Sequence, residues 1–503
     1  MGLIDGLVVA SNQSGERKRL LQHTHPTYDL YRDLWQVGLD AYDGTGGFLT
    51  GAHLWAFPRE TGDDYAKRKH HARYHNYAET LIDIYLRHLT TDVERETSDS
   101  ALKDWWMDVD GRGTPILSFL QGALGQALAA GHAGVLVDKA PTAPTGPSQA
   151  EDPERPFLVV LPPTSILDWR VDRRGLAAVK VTEATPARGL DEVDDPEKTG
   201  WLLWDRQQWA RFDDSGSLSA RGVHKLGVVP VEILRPKPSR QHPFIGKALI
   251  TPSVIQALYN RASEEDVVLR DQAFSLFVVQ VPTEATADDI ELVRRSLAEG
   301  VGTSTVTIIK GTADFKTANM ETAAAIRANQ QYLIAEIYRM AHLRFQRESL
   351  EAESAEAVRL QRQDLDQTLR SLAELLHDFE LAIARRYYDW QTPGGQGQAA
   401  FDRAKVEVRY PTEFTMPDLE AELANWASAI ALQLGETATK EIRKRAVFVL
   451  LPDLAPETMG AITREIDSAK AGDGLASNAN DLRQQAVQRL QARGIQVAGA
   501  EAA

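Results

Sequence analysis

The chain has 503 residues, a formal net charge of −15 and no cysteine. The missing thiols exclude disulfides, thiolate metal sites and cysteine nucleophiles. The negative charge argues against a surface that grips nucleic acid by neutralising phosphates, though not against one that DNA slides past.

Residues 1–24 read as a mobile polar arm. Asp5 and Gly6 interrupt the apolar start, and Arg17, Lys18 and Arg19 follow it instead of preceding it, so it is not a secretory signal. Gly2 invites a myristoylation reading, but Gly6 stands where Ser or Thr is needed. No run of eighteen apolar residues occurs, so no membrane span is expected.

After His25-Pro26, the spacing of Tyr28, Tyr31, Leu34, Trp35, Leu39 and Tyr42 predicts a helix that Gly44, Gly46 and Gly47 end. Those glycines are read as a turn, because no Lys-Ser/Thr pair follows in phosphate-loop spacing. Residues 63–91 read as one helix with Tyr77, Leu81, Ile84, Tyr85 and Leu89 on its apolar face. His71, His75 and Glu79 would then form a row at metal-ligand spacing. Lys67, Arg68, Lys69 and Arg73 would repel a cation there, so a solvated or subunit-facing surface is preferred. A helix over 115–130 leads into a buried strand, 133–138.

Residues 140–156 hold five prolines and read as an exposed insert. From 157 to 236 the texture is β-rich. Strands are expected at 157–161, 166–170, 177–183, 201–204, 209–212 and 228–234, with a hairpin turn at Asp213-Asp214-Ser215-Gly216. Trp106, Trp169, Trp201, Trp204 and Trp209 are read as packing residues. A helix over 252–273 follows, then a strand at 275–281, a helix at 286–299 and a strand at 303–310.

Between Gly311 and Pro393 lie 81 residues without Gly or Pro. They divide into a helix over 321–343, a charged patch at 344–353 and a long helix over 354–391. The long helix would measure about 57 Å. Its seam is Val358, Leu365, Leu369, Leu372, Leu376, Phe379, Ile383, Tyr387 and Trp390. This seam is expected to bury against the β-rich body and neighbouring helices. A strand at 405–410, three short helices between 417 and 471, and an Ala/Gln/Gly-rich tail at 472–503 complete the chain.

No nucleotide, serine-hydrolase or zinc-protease motif is present, and no carboxylate pair has distinctive support for acid/base work. Asp213 and Asp214 are explained better by the turn than by a metal. No cofactor, metal or catalytic residue is assigned.

Several phrases, in this order, carry a resemblance. They are His25-Pro26 with the aromatic helix ending Ala41-Tyr42-Asp43-Gly44, and the segment from Tyr74-x-Asn76-Tyr77 to Leu86. Next come Arg155-Pro156-Phe157-Leu158-Val159-Val160 leading to Ile166-Leu167-Asp168-Trp169, and Val229-Pro230-Val231-Glu232. With the helix–insert–helix and long helix behind them, the chain resembles a tailed-bacteriophage portal protein over roughly residues 25–470.

The resemblance implies an α+β, portal-like fold. Its parts would be an α/β wing (25–250), a two-helix stem (251–273 and 321–343), a small α/β clip (274–320), a long wing helix with a return strand (354–411) and a helical crown (412–471). It implies a non-enzymatic ring of about twelve copies at one capsid vertex of the virion, assembled in the host bacterial cytoplasm. The ring would pass double-stranded DNA during packaging and ejection. Its other implied partners are the terminase motor, head-completion or adaptor proteins, and the major capsid and scaffolding proteins, with no membrane. A tunnel loop at 344–353 would place Arg344, Phe345, Gln346, Arg347, Glu348 and Glu351 nearest the DNA. Arg344 and Arg347 would touch phosphate, unless they pair with Glu348, Glu351 or Glu353. The aromatic faces of 28–42 and 201–212 are expected to supply part of the contact between copies. The competing readings are a hydrolase or nuclease with an unrecognised carboxylate site, and another ring-forming head–tail adaptor.

Overall fold

A computed structural model describes residues 14–139 except 59, then 155–185, 198–273, 276–280, 284–298, 312–316, 321–343, 355–392 and 395–414 except 413, and a few positions between 440 and 467. The chain divides into Met1–Phe414 and Thr415–Ala503. The fold is mixed α+β.

The first described element corrects the expectation of a polar arm. Ser14–Gln22 is a helix (α1), and its Leu21 is fully buried. The buried Lys180 donates to the backbone oxygens of Leu20 and His23 at its C-terminal end. This end needs a donor because its last carbonyls have no helical partner. Pro26–Asp43 (α2) follows, opened by a bond from Thr27 N to His25 Nδ1 and closed by Gly44 in the left-handed region. Two hydrophobic clusters share α2: Val37 and Ala41 face one, while Tyr28, Trp35 and Leu39 face the other. Gly38 allows α2 to cross the next helical layer closely, since a side chain there would strike the backbone of Ala129.

Gly46–Thr50 (α3) precedes Gly62–His71 (α4) and Tyr77–Thr90 (α5). The single helix expected over 63–91 is therefore two. Asn76 caps α5: its Oδ1 accepts from Glu79 N and its Nδ2 donates to Glu79 Oε2, both at 2.9 Å. Glu79 is thus spent on the side-chain cap of α5, and the row with His71 and His75 is broken by the non-helical residues between. Glu94–Glu96 (β1), Ser100–Met107 (α6) and Ile116–Ala130 (α7) come next.

Ala133–Lys139 (β2) is the centre of a three-stranded antiparallel sheet, with Pro156–Leu161 (β3) on one side and Val231–Leu234 (β9) on the other. The Pro-rich insert joining β2 to β3 lies outside the described residues. A second antiparallel sheet contains Ile166–Asp172 (β4), Gly175–Thr185 (β5), Lys198–Asp205 (β6), Gln208–Phe212 (β7) and Leu218–Val223 (β8), in chain order. β8 was not expected, but the turn before it was. Asp213 Oδ1 accepts from the amides of Ser215 and Ser217, so it serves the hairpin instead of a metal.

The aromatic faces expected between copies are largely inside one copy. Tyr28, Trp35, Trp201, Trp204 and Phe212 are buried in one cluster. Trp169 stacks on Phe244 at 4.4 Å and on His25 at 4.1 Å. Trp106 is buried in the other cluster, and Trp209 is half-buried.

Pro252–Ala273 (α8), Leu276–Gln280 (β10), Ala287–Ala298 (α9), Thr312–Lys316 (β11) and Glu321–Met340 (α10) follow. The partner of β10 is β11, in antiparallel register. The expected strand at 303–310 lies outside the described residues. Ala355–Gln391 (α11) is one helix of 37 residues. Its seam is buried from Leu369 through Tyr387, with Leu365 and Trp390 packed alongside; Val358 lies beyond the described side chains. Trp390 Nε1 donates to the Val137 oxygen of β2 at 2.7 Å. Gly397–Ala404 (α12), which was not expected, leads to Glu407–Arg409 (β12), which pairs with β1. The helices expected after 417 lie outside the described residues, apart from helical positions at 440, 443–444, 462–464 and 466–467. The tail at 472–503 lies outside them altogether.

Candidate functional site

The centre of the candidate site is the antiparallel pair α8 and α10. Arg327 on α10 forms a forked bond to Glu265 on α8, with distances of 2.9 and 2.6 Å. Gln330 donates to the Glu265 carboxylate at 2.8 Å and to the Arg261 oxygen at 3.1 Å. Partner numbers fall on one helix as they rise on the other, which fixes the pair as antiparallel. The β10–β11 pair and α9 are carried at the end of these helices where α8 finishes and α10 begins.

At its other end α10 is stopped by a backbone device, with neither Gly nor Pro. His342 sits at φ 50°. Its amide donates to the Arg339 oxygen at 3.1 Å, and the Leu343 amide donates to the Tyr338 oxygen at 2.9 Å. This double bond pattern with a left-handed residue is a Schellman cap. The buried Tyr85 hydroxyl donates to the Ala341 oxygen at 2.6 Å, pinning the cap to α5. Burial raises the pKa of that phenol well above its usual range, so it remains a donor. The helix thus ends slightly before the expected residue 343. Arg344, Phe345, Gln346, Arg347, Glu348 and Glu351 lie outside the described residues; Leu343 and Ala355 bracket them.

On the side of α8 away from α10, a loop is tied down by buried polar groups. Trp55 N donates to Asn260 Oδ1 at 2.7 Å. The His53 oxygen accepts from Asn260 Nδ2 and Gln256 Nε2, each at 3.1 Å. Arg68 is almost wholly buried. It holds both oxygens of Glu60, donates to the Trp55 oxygen, and lies over the Phe57 ring at 4.0 Å. The Arg68 hydrogen bond holds the Glu60 carboxyl below its usual pKa. Asn260 and Gln256 were not singled out from sequence, because they meet this loop from about 200 residues away; Arg68, expected on a solvated or subunit-facing face, is instead buried against Glu60.

The arrangement most like enzyme machinery is Asp40 with His53. Asp40 Oδ2 lies 2.8 Å from His53 Nε2 and accepts from Gly47 N at 2.9 Å, while Oδ1 accepts from Gln36 at 2.6 Å. Oδ2 holds the turn after α2 while Oδ1 is taken by Gln36 on the same helix, and no hydroxyl nucleophile is bonded to the imidazole among the described contacts. Among the described residues, no group of three His, Asp or Glu side chains is placed to hold a metal. No described helix is long and apolar enough to cross a membrane.

No family model matches the chain, and no curated protein matches it. Among solved structures it is similar to a chain in the virion of a native gene transfer agent particle. That match covers 71% of this chain and 86% of the other, at 13% identity and a TM-score of 0.38. A chain in the neck of the empty particle, computed with C6 symmetry, matches over 71% and 86% at 13% identity and 0.37. One in the neck of the native particle, computed with C12 symmetry, matches over 77% and 94% at 13% identity and 0.34. Likeness this distant defines neither fold nor function.

Proposed function

We propose that the chain is a portal protein: a ring-forming, non-enzymatic conduit at one capsid vertex, through which double-stranded DNA is packaged and ejected. The observation that carries the reading is the helix–module–helix unit. Two antiparallel helices, Pro252–Ala273 and Glu321–Met340, hold a small α/β module between them, and a 37-residue helix buried on the β-rich body follows. In this reading the pair is the stem and residues 274–320 are the clip, which would meet the terminase motor and later the head-completion proteins. Residues 25–250 and 354–411 are the wing, and 412–471 the crown.

The electrostatics suit a conduit. A ring of copies each carrying −15 holds DNA weakly, so the polymer can pass. Residues 344–353 are the proposed tunnel loop, with Arg344 and Arg347 as passing phosphate contacts. The capped, pinned end of α10 gives that segment a fixed point of departure.

Light scattering and negative-stain imaging of the purified chain test the reading. Rings of about twelve copies with an axial hole are expected. A stable monomer at micromolar concentration that cuts DNA with a divalent metal would overturn it. Deleting 346–352 should leave the ring intact and impair packaging or retention of DNA; normal packaging would show that the loop lies elsewhere.

A further inference from the structure

Between β9 and α8 the chain runs Arg-Pro-Lys-Pro-Ser-Arg-Gln-His-Pro-Phe-Ile-Gly-Lys, residues 235–247. We infer that this segment is an acid-released flap: a proton on His132 lifts Phe244 from the body and gives slack to the connection between β9 and α8. The inference does not depend on the ring reading above.

The flap is closed on itself. Pro238 and Gly246 form an isolated antiparallel bridge. Lys247 N donates to the Lys237 oxygen at 2.8 Å, Ser239 N to the Ile245 oxygen at 3.0 Å, and Ile245 N to the His242 oxygen at 3.0 Å. Arg235 Nη1 donates to the Pro243 oxygen. A loop with paired ends and internal backbone bonds can move as one piece while the sheets beside it stay formed.

The flap covers His132. Its Phe244 is buried and stands edge-on to the His132 ring, with centroids 6.4 Å apart, and stacks on Trp169 at 4.4 Å. Trp35 of α2 is also edge-on to His132, at 4.9 Å. Gly246 fits against Gly131, the residue before His132; a side chain at Gly246 would strike the Gly131 oxygen. The flap also meets α2 through His242, which lies 3.4 Å from Thr27 Oγ1 and edge-on to Tyr31.

Nothing in the closed arrangement welcomes a proton. His132 is fully buried, and neither ring nitrogen is bonded among the described protein atoms. The charge that acts on it is Arg235 of the flap, while the Trp35 and Phe244 rings carry none. Glu232 of β9 attracts Arg235 but is itself bonded to Arg386 at 2.8 Å. Residues 235–247 contain no Asp or Glu, and Lys237, Arg240 and Lys247 are already exposed. Lifting the flap lets water solvate the imidazolium and removes Arg235 from its side.

Proton linkage sets the size of the effect. Burial, and then Arg235, hold the closed-state pKa at about 3, against about 6.5 for an imidazole in water. Between those values each unit of pH lowered favours the lifted form about tenfold. From pH 7.5 to 5 the ratio of lifted to closed rises about thirtyfold.

Amide exchange of the full chain at these two pH values, corrected for the intrinsic effect of pH, tests the flap. Residues 235–247 should exchange about thirtyfold faster at pH 5. Their rate should be indifferent to low urea, because lifting the flap exposes little surface. Exchange in α7 and β2 waits for global unfolding and should rise with urea. His132→Leu should abolish the acid acceleration at unchanged circular dichroism; His132→Gln takes its place if the leucine chain does not fold. Flap amides equally protected at both pH values would overturn the inference. So would flap exchange with the urea dependence of α7 and β2, or an acid acceleration that survives in the folded His132 variant.

Discussion

The Tyr85 hydroxyl and the Ala341 carbonyl, 2.6 Å apart, join α5 to the last turn of α10 at full burial. A Tyr85→Phe variant leaves that carbonyl without its donor. Stability should fall by about 1–3 kcal/mol. Amide exchange should accelerate at Ala341, His342 and Leu343 more than in the middle of α10. Uniform exchange along the helix would show that the cap holds without the phenol.

Glu380, in the middle of α11, accepts from Arg95 Nε at 2.6 Å, Arg95 Nη2 at 3.0 Å and the Tyr410 hydroxyl at 2.6 Å. Burial, and then the Glu380 charge, raise the Tyr410 pKa far above its usual value, so the phenol donates at any working pH. Glu380→Ala strands the arginine charge in the interior and should cost about 3–5 kcal/mol in urea unfolding. Tyr410→Phe should cost about 1 kcal/mol. Equal losses in the two variants would deny the ion pair its leading part.

His132 is fully buried beside Trp35 and Phe244, and neither ring nitrogen has a partner among the described protein atoms. Burial, and then the positive charge of Arg235, lower its pKa to about 3. The folded form therefore stays neutral while the unfolded form takes a proton below about pH 6.5. Stability is fully present above that value and is lost as pH falls towards 3. Near pH 5 this group alone should remove about 2 kcal/mol relative to pH 7.5. His132→Leu should flatten that slope in denaturant titrations at the two pH values; an unchanged slope would assign the acid sensitivity elsewhere.

Lys180 reaches from β5 to the end of α1, with Asp168 3.8 Å from its ammonium. Lys180→Met keeps the stem and removes the donor. Limited proteolysis should then release fragments cut near His23 several-fold faster, with a stability loss of about 1–3 kcal/mol. A protease pattern identical to wild type would mean that Leu21 alone anchors the helix.

The sequence was most legible where one periodic face meets one core. The seam of α11, the span of α8 and the run from α7 into β2 all follow from spacing alone. What escaped was set by partners far along the chain. The strand at 407–409 was expected within 405–410, but nothing local in 94–96 marks its three-residue partner, which forms only against it. The stop after α10 depends on a histidine taking a conformation that glycine usually supplies. The break between α4 and α5 was readable, because Asn76 and Glu79 have capping-box spacing, but a continuous polar face hid it. The tied-down loop at 53–60 escaped for the same long-range reason as the strand at 94–96.

The clasp made by Glu380 also has a temporal side. Its members are far apart in the chain: Arg95 lies in the first described strand of the body, and Tyr410 follows the last. A nascent chain that has emerged only as far as α11 can pack its helices, yet it must keep β1 without a mate. Non-local closure of this kind slows folding and leaves unpaired strand edge open to other chains. The body therefore becomes complete late in synthesis, and copies still being made are poor partners for finished ones.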